Sequence, residues 1–219
     1  MTDQRDNTDL DSGKLPDSLP ILPLYDAALF PKMILPLVVM QSDSIQLVDE
    51  AMSKDRLIGV VVSRKSPQKG GQRIEDLYSV GTLSLILKMA KTEDNKAQLL
   101  VQGLSRFRIT EFISAKPYPR ARVRHLQEIE SKDKETDALM ANILGLFLRV
   151  VDLSPGLPKE IGAMAKSIQD PGILTDLIAS TLNISVEEKQ QILELVNTKE
   201  RLTQVTRLVN YQLEILELG

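Results

Sequence analysis

The side chains able to do chemistry in this 219-residue chain are arginines, lysines, carboxylates, serines and one histidine; there is no cysteine. A thiolate nucleophile, a zinc–thiolate site and a disulfide are therefore excluded. His125 is the only histidine and has no cysteine near it. It offers neither a metal set nor a histidine-based triad, and it reads as a partly exposed structural residue at a strand end. Gly70-Gly71 is not followed by Lys-Ser or Lys-Thr, so the phosphate-cradling loop GxxxxGK[ST] is absent and the pair reads as a loop tip. No GxSxG nucleophile elbow occurs. The carboxylates fall on helix exteriors and loops. The expectation is no catalytic residue, no metal ligand and no cofactor in these residues.

Two other groups of residues can bind rather than react. Arg120, Arg122 and Arg124 share one face of an expected strand, and Arg106 and Arg108 share a face of another. Such rows suit an RNA, DNA or other anionic surface. The plainer reading is a solvated sheet face with cross-strand carboxylate partners. Stacking platforms for single strands need exposed aromatics, and aromatic content is only 4%, which favours the plainer reading. The second group is the apolar loop Leu29, Phe30, Pro31, Met33 and Ile34. It could offer an exposed patch to an unfolded polypeptide, or close a core.

The elements that position these residues follow from periodicity. Prolines 20, 23, 31 and 36 interrupt the opening apolar run. Each fixes φ and lacks a donor, so the run reads as a short edge strand and a rigid loop. Residues 1 to 18 are polar and Asp-rich and are expected to be a disordered tail. From 19 to 127 the pattern is mostly of period two. Leu57 to Val62 form a β-branched run, Leu83, Leu85, Leu87 and Met89 alternate with their neighbours, and so do Phe107 and Ile109. These predict half-buried antiparallel strands. One helix interrupts them, capped by Ser42 or Ser44, with Ile45, Val48, Ala51 and Met52 on one face.

Residues 128 to 136 form a charged, exposed linker by composition, and beyond it the period becomes 3.6. Leu139, Ile143, Leu146, Phe147 and Val150 make one stripe. Pro158 and Pro171 suit first helical positions. Ser185 and Glu188 have capping-box spacing. A last helix carries Leu202, Val205, Leu208, Val209, Leu213 and Leu216. The fold class expected is α+β: a β-rich unit over 19–127, then a bundle of about five helices over 137–219. The net charge of -3 conceals a basic first unit and an acidic second one. That asymmetry supports two units but is too mild to declare a nucleic-acid binder. No apolar stretch is long enough to span a bilayer and the N-terminus has no signal-peptide layout, so the cytoplasm is the expected location.

With that architecture in place, several segments resemble the N-terminal domain of the ATP-dependent Lon proteases. They are Leu19-Pro20-Ile21-Leu22-Pro23-Leu24 leading to Phe30-Pro31, Asp76-Leu77-Tyr78-Ser79-Val80-Gly81-Thr82, and Val101-Gln102-Gly103-Leu104-Ser105-Arg106-Phe107-Arg108-Ile109. Asp176-Leu177-Ile178-Ala179, Glu188 to Glu194 and Arg201-Leu202 extend the resemblance to about residue 218. One departure is Lys32, where the family often has glycine.

The resemblance implies a PUA-like β-barrel followed by helices, acting in substrate recruitment and assembly of an ATP-dependent serine protease. The ATPase module with its ATP and Mg, and a peptidase with a Ser-Lys dyad, would lie outside these residues, since no segment here resembles either. Implied partners are unfolded or degron-bearing proteins. A homo-hexamer is expected for the full protease and a monomer or weak dimer for these residues. The acidic last turn Glu214 to Leu218 is read as a helix that continues, so the chain is expected to be a truncation. A PUA-like nucleic-acid module using the arginine faces is the alternative.

Overall fold

The computed structural model describes residues 15–67 and 69–219. The tail expected over 1–18 therefore lies mostly outside the described residues, and order is already present at β1 (Ser18–Leu24). There follow β2 (Ile34–Val39), α1 (Ser42–Met52), β3 (Leu57–Val62), a 3-10 turn (Ile74–Asp76), β4 (Val80–Lys91), β5 (Ala97–Ser114) and β6 (Arg120–His125). The helical part comprises α2 (Lys134–Leu153), α3 (Glu160–Ser167), α4 (Pro171–Thr181), α5 (Val186–Leu193) and α6 (Thr198–Leu218).

The sheet order is β2-β5-β4-β3-β1-β6, and β5 also pairs with β6. That last pairing closes a ring through β5, β4, β3, β1 and β6. The length of β5 makes this possible. Its first half pairs with β2 (Ile34↔Gln102 to Val39↔Ala97) and its second half with β6 (Phe107↔His125 to Ser114↔Arg120). Register shifts at Leu83/Ser84 and Ile86/Lys88 in β4–β5, and at Ile109/Glu111 and Phe112/Ser114 in β5–β6, bend the long strands. Bulges of this kind increase local twist and let a sheet curl. One pairing departs from the all-antiparallel expectation. β1 and β3 run parallel, Ile21↔Gly59 to Leu24↔Val62, because α1 lies on the connection between them.

α1 closes one end of the barrel. Leu47, Val48 and Ala51 pack with Leu22, Leu24, Ile58, Val60 and Val101. Ser42 is not its cap; Gln41 stands there, without a side-chain capping bond. The helical caps follow the sequence more closely. Asp133 accepts from Thr136 N, Asp170 from Ile173 N with Pro171 next to it, and Ser185 with Glu188 forms a full capping box. Pro158 stands two residues ahead of α3, at the start of a tight turn in which its carbonyl accepts from Ile161 N.

The two units are not joined by a free linker. Phe30 and Val80 from the barrel belong to the same buried cluster as Phe147, Ile178, Leu202 and Val205 from the helices. Residues 128 and 129, expected in an exposed connector, are tied down. Ile129 N donates to Val196 O, Thr198 N donates to Ile129 O, and the Glu128 carboxylate meets two buried arginines.

Candidate functional site: an apolar edge strand beside a cleft

β2 reads Ile-Leu-Pro-Leu-Val-Val, and the run from Met33 to Met40 carries no charge. Period two turns Leu35, Leu37 and Val39 toward the barrel core and leaves Ile34, Pro36 and Val38 outside. Ile34 is 53% exposed, Val38 58% and Met40 63%. Scattered single apolar residues on a surface are ordinary; two in one uncharged edge strand, with Met40 directly after it, are not, because edge strands are commonly protected by charge.

A cleft of about 240 Å³ adjoins this strand, lined by residues 22–27 at the end of β1, residues 37–41 at the end of β2, Ser44 of α1 and Pro67. It exists because β6 covers β1 only at Ser18–Pro20, so the end of β1 faces β2 with no strand between. Apart from Asp26 and the polar atoms of Tyr25, Gln41 and Ser44, its walls are apolar or main chain.

The five residues singled out in the sequence divide sharply. Leu29 and Phe30 are fully buried, Leu29 in the barrel core and Phe30 against the helices, and Pro31 is buried too. The loop is pinned: Thr82 Oγ1 donates to Leu29 O at 2.6 Å, Lys32 N to Gly103 O at 2.9 Å and Gly103 N to Met33 O at 2.8 Å. Leu29, Phe30 and Pro31 are therefore not on the surface. Met33 is half-buried, and Ile34 is exposed on the same side as Val38, four residues further on, with Met40 exposed just past the strand. The signal that could have found Val38 and Met40 is the absence of charge across the edge strand. Lys32 has φ 68°. That left-handed conformation suits glycine, which accounts for the glycine expected there.

The arginines also divide. Arg106 is not on a solvated face. Its strand alternates as expected, with Phe107 inside the barrel, but the outer side at this point is covered by helices. Its guanidinium, 1% exposed, grips Asp176 through both nitrogens at 2.8 and 2.7 Å, and its Nε donates to Leu193 O at 2.8 Å. Arg201 lies alongside, donating to Glu128 at 2.5 Å, to Thr175 Oγ1 at 3.0 Å and to Leu195 O at 2.9 Å. Glu128 thus serves both arginines. On the exposed face, Arg122 pairs with Glu111 at 2.7 Å across the strands, as the plainer reading required. His125 is half-buried with Nε2 2.7 Å from Pro16 O.

Perturbed ionisation marks contacts that hold the fold. The Lys199 ammonium and the amide of Thr136 hold the Asp133 carboxyl down to about 2. The Tyr118 hydroxyl donates to Glu50 and lowers its pKa, while burial raises that of Tyr118. The carboxylates of Glu128, Glu130 and Asp170 converge, yet Glu128 serves the two arginines and Asp170 caps α4, so their arrangement is explained without an ion.

The family described as the ATP-dependent protease La (LON) substrate-binding domain matches residues 18–211. The chain belongs to that family. It is 53% identical over 222 residues to a Lon protease of Syntrophus aciditrophicus, covering all of this chain and 28% of that protein. It is 48% identical over 208 residues to one of Desulfosudis oleivorans, covering 95% and 26%. The chain thus spans little more than a quarter of these relatives' length, and it corresponds to their substrate-binding N-terminal domain, not to a catalytic part. The N-terminal domain of a Mycobacterium avium complex Lon protease has the same fold, with TM-score 0.72 at 22% identity over 88% of this chain and 98% of that one.

Proposed function

We propose that this domain captures apolar segments of unfolded protein clients for an ATP-dependent protease, on the outer face of β2 and the adjoining cleft. The observation that carries this is the uncharged run Met33 to Met40, which leaves Ile34, Val38 and Met40 exposed beside an open apolar cleft. Unfolded clients offer apolar side chains, and burial of such surface yields about 25 cal/mol per Å². The sequence contains no phosphate loop, and binding of ATP and Mg²⁺, hydrolysis and peptide cleavage are assigned to the remainder of a full protease. Hexameric assembly is likewise assigned to that remainder, and these residues act as a monomer or weak dimer. No helix among the described residues is long and apolar enough to cross a membrane, and the cytoplasm is the proposed location.

The test is capture of a fluorescently labelled, permanently unfolded protein at two salt concentrations, by wild type and by Val38→Ser with Met40→Ser. The reading requires weaker capture by the variant at an unchanged thermal midpoint, with little loss at high salt. Capture that collapses with salt and survives the variant would instead place binding on the arginine face.

A further inference from the structure

β2 is the outermost strand of its sheet, and the alternation of its main chain can be read from one bond. Gly103 N donates to Met33 O, and Ile34 pairs with Gln102, Leu35 with Val101 and so on to Val39 with Ala97. In an antiparallel pair, hydrogen-bonded and non-bonded pairs alternate. Leu35, Leu37 and Val39 therefore spend their amides on β5. The carbonyls of Ile34, Pro36 and Val38 and the N–H groups of Ile34 and Val38 point away from the sheet, with no main-chain partner among the described residues. Proline stands at an outward position, where its missing donor costs the sheet nothing. The other wall of the cleft is built the same way. Ser63 N donates to Leu24 O, so Leu22 and Leu24 face β3, and Pro23 faces the cleft with a carbonyl and no donor.

We propose that the client is held as an added β-strand. An extended segment pairs its main chain with the outer edge of β2 and lays alternate apolar side chains on Ile34 and Val38 and into the cleft beside Met40. This rests on the reading of the domain as a client-capturing module and names how capture is achieved. Main-chain bonds supply affinity without demanding a sequence, while alternate side-chain contacts select apolar segments. That combination suits a receptor for many unrelated clients.

The prolines decide between occupants. In a two-fold pairing of two β2 strands centred on this edge, Pro36 would meet Pro36 at a position where each must donate to the other, and both bonds would be missing. A client strand forfeits only one donor, that of Pro36, and can still donate to its carbonyl. The edge is thus blunted against a second copy and open to a foreign strand. Pro23 gives the opposite wall the same protection, and the two edges cannot zip to each other through those positions.

The experiment uses an alternating Val/Thr decapeptide with terminal lysines, together with two versions N-methylated at every second residue, one on the odd and one on the even amides. Binding to the domain is read by fluorescence anisotropy. A strand on β2 uses only one set of amides. One N-methylated version should therefore bind on the order of tenfold or more weakly, the loss expected for two or more hydrogen bonds, and the other should bind like the parent. Val38→Pro, which removes an outward N–H and none of the bonds to β5, should weaken the parent peptide where Val38→Thr does not. Equal binding of all three peptides overturns the strand and leaves apolar capture standing. Failure of the parent to bind, with capture of unfolded protein insensitive to Val38→Ser and Met40→Ser, overturns the reading beneath it. A concentration-dependent dimer abolished by Val38→Pro would make a second copy the occupant and overturn the client strand.

Discussion

Asp176→Ala should be the most damaging single substitution of a charged residue in this domain. Asp176 sits in α4 with its side chain 3% exposed, and it receives a two-pronged grip from Arg106 of β5, itself 1% exposed. Arg201 Nε lies 3.5 Å from the same carboxylate. Removing the carboxylate leaves two buried guanidinium groups to share Glu128, whose side chain is 28% exposed and already bonded to both. Breaking a buried pair from one side costs about 3–5 kcal/mol, because the remaining charge stays desolvated. Glu128 remains as a partial counter-charge, so the lower end, about 3 kcal/mol, applies. Against a total stability of about 5–15 kcal/mol, that is a large share. At roughly 2–4 °C per kcal/mol for a chain of this size, the thermal midpoint should fall by roughly 6–12 °C. The assay is urea and thermal unfolding followed by far-UV circular dichroism, with exposed Asp137→Ala as the control. Arg106→Leu combined with Asp176→Leu should be less damaging than the sum of the two single changes, since it leaves no unpaired member of that pair. A loss below about 1 kcal/mol for Asp176→Ala, or strict additivity in the double variant, would show that the network is solvated and does not bind the barrel to the helices.

Three further outcomes follow from particular contacts. Phe30→Ala should cost about 3–5 kcal/mol, as a buried ring against Phe147 and its neighbours requires, and any loss of client capture should vanish at temperatures where the variant is fully folded. Lys32→Gly should raise the thermal midpoint, by no more than about 1–2 kcal/mol equivalent, because it relieves a left-handed residue, whereas Lys32→Val should lower it. Asp133 has its pKa depressed from 3.8 to about 2 in the fold. Its contribution is therefore present above pH 3.8 and is lost as pH falls through about 2; Asp133→Asn should flatten that part of the stability–pH curve, measured by urea midpoints from pH 5 to pH 2.

Much of the fold could be read from the chain because its cues are local. The switch from period two near Phe107 to period 3.6 near Leu139 separates barrel from helices, and the caps at Asp170 and Ser185 stand where their side chains demand. What escaped depends on contacts between distant residues. Arg106 alternates with Phe107 as an outward residue should, but strand periodicity cannot reveal that helices cover that outer face. Glu128 and Ile129 look like linker by composition, yet one answers two buried arginines and the other pairs with residues 196 and 198. The parallel pairing of β1 with β3 is likewise a matter of topology. Of the five apolar residues chosen from the sequence, Ile34 is exposed on β2, while Leu29 and Phe30 are buried. Density of apolar residues selected Leu29 and Phe30, which that same density buries. The exposed members, Val38 and Met40, lie in a stretch whose distinguishing mark is a lack of charge.

The central claim is that clients are held along β2, and photocrosslinking tests its location directly. A benzophenone side chain placed singly at position 38, 113, 122 or 211, all exposed, is irradiated with an unfolded client. The account predicts an adduct at 38, mapped by mass spectrometry to apolar segments of the client, and background levels at the other three. Strong adducts at 122 or 211 with none at 38 would contradict it.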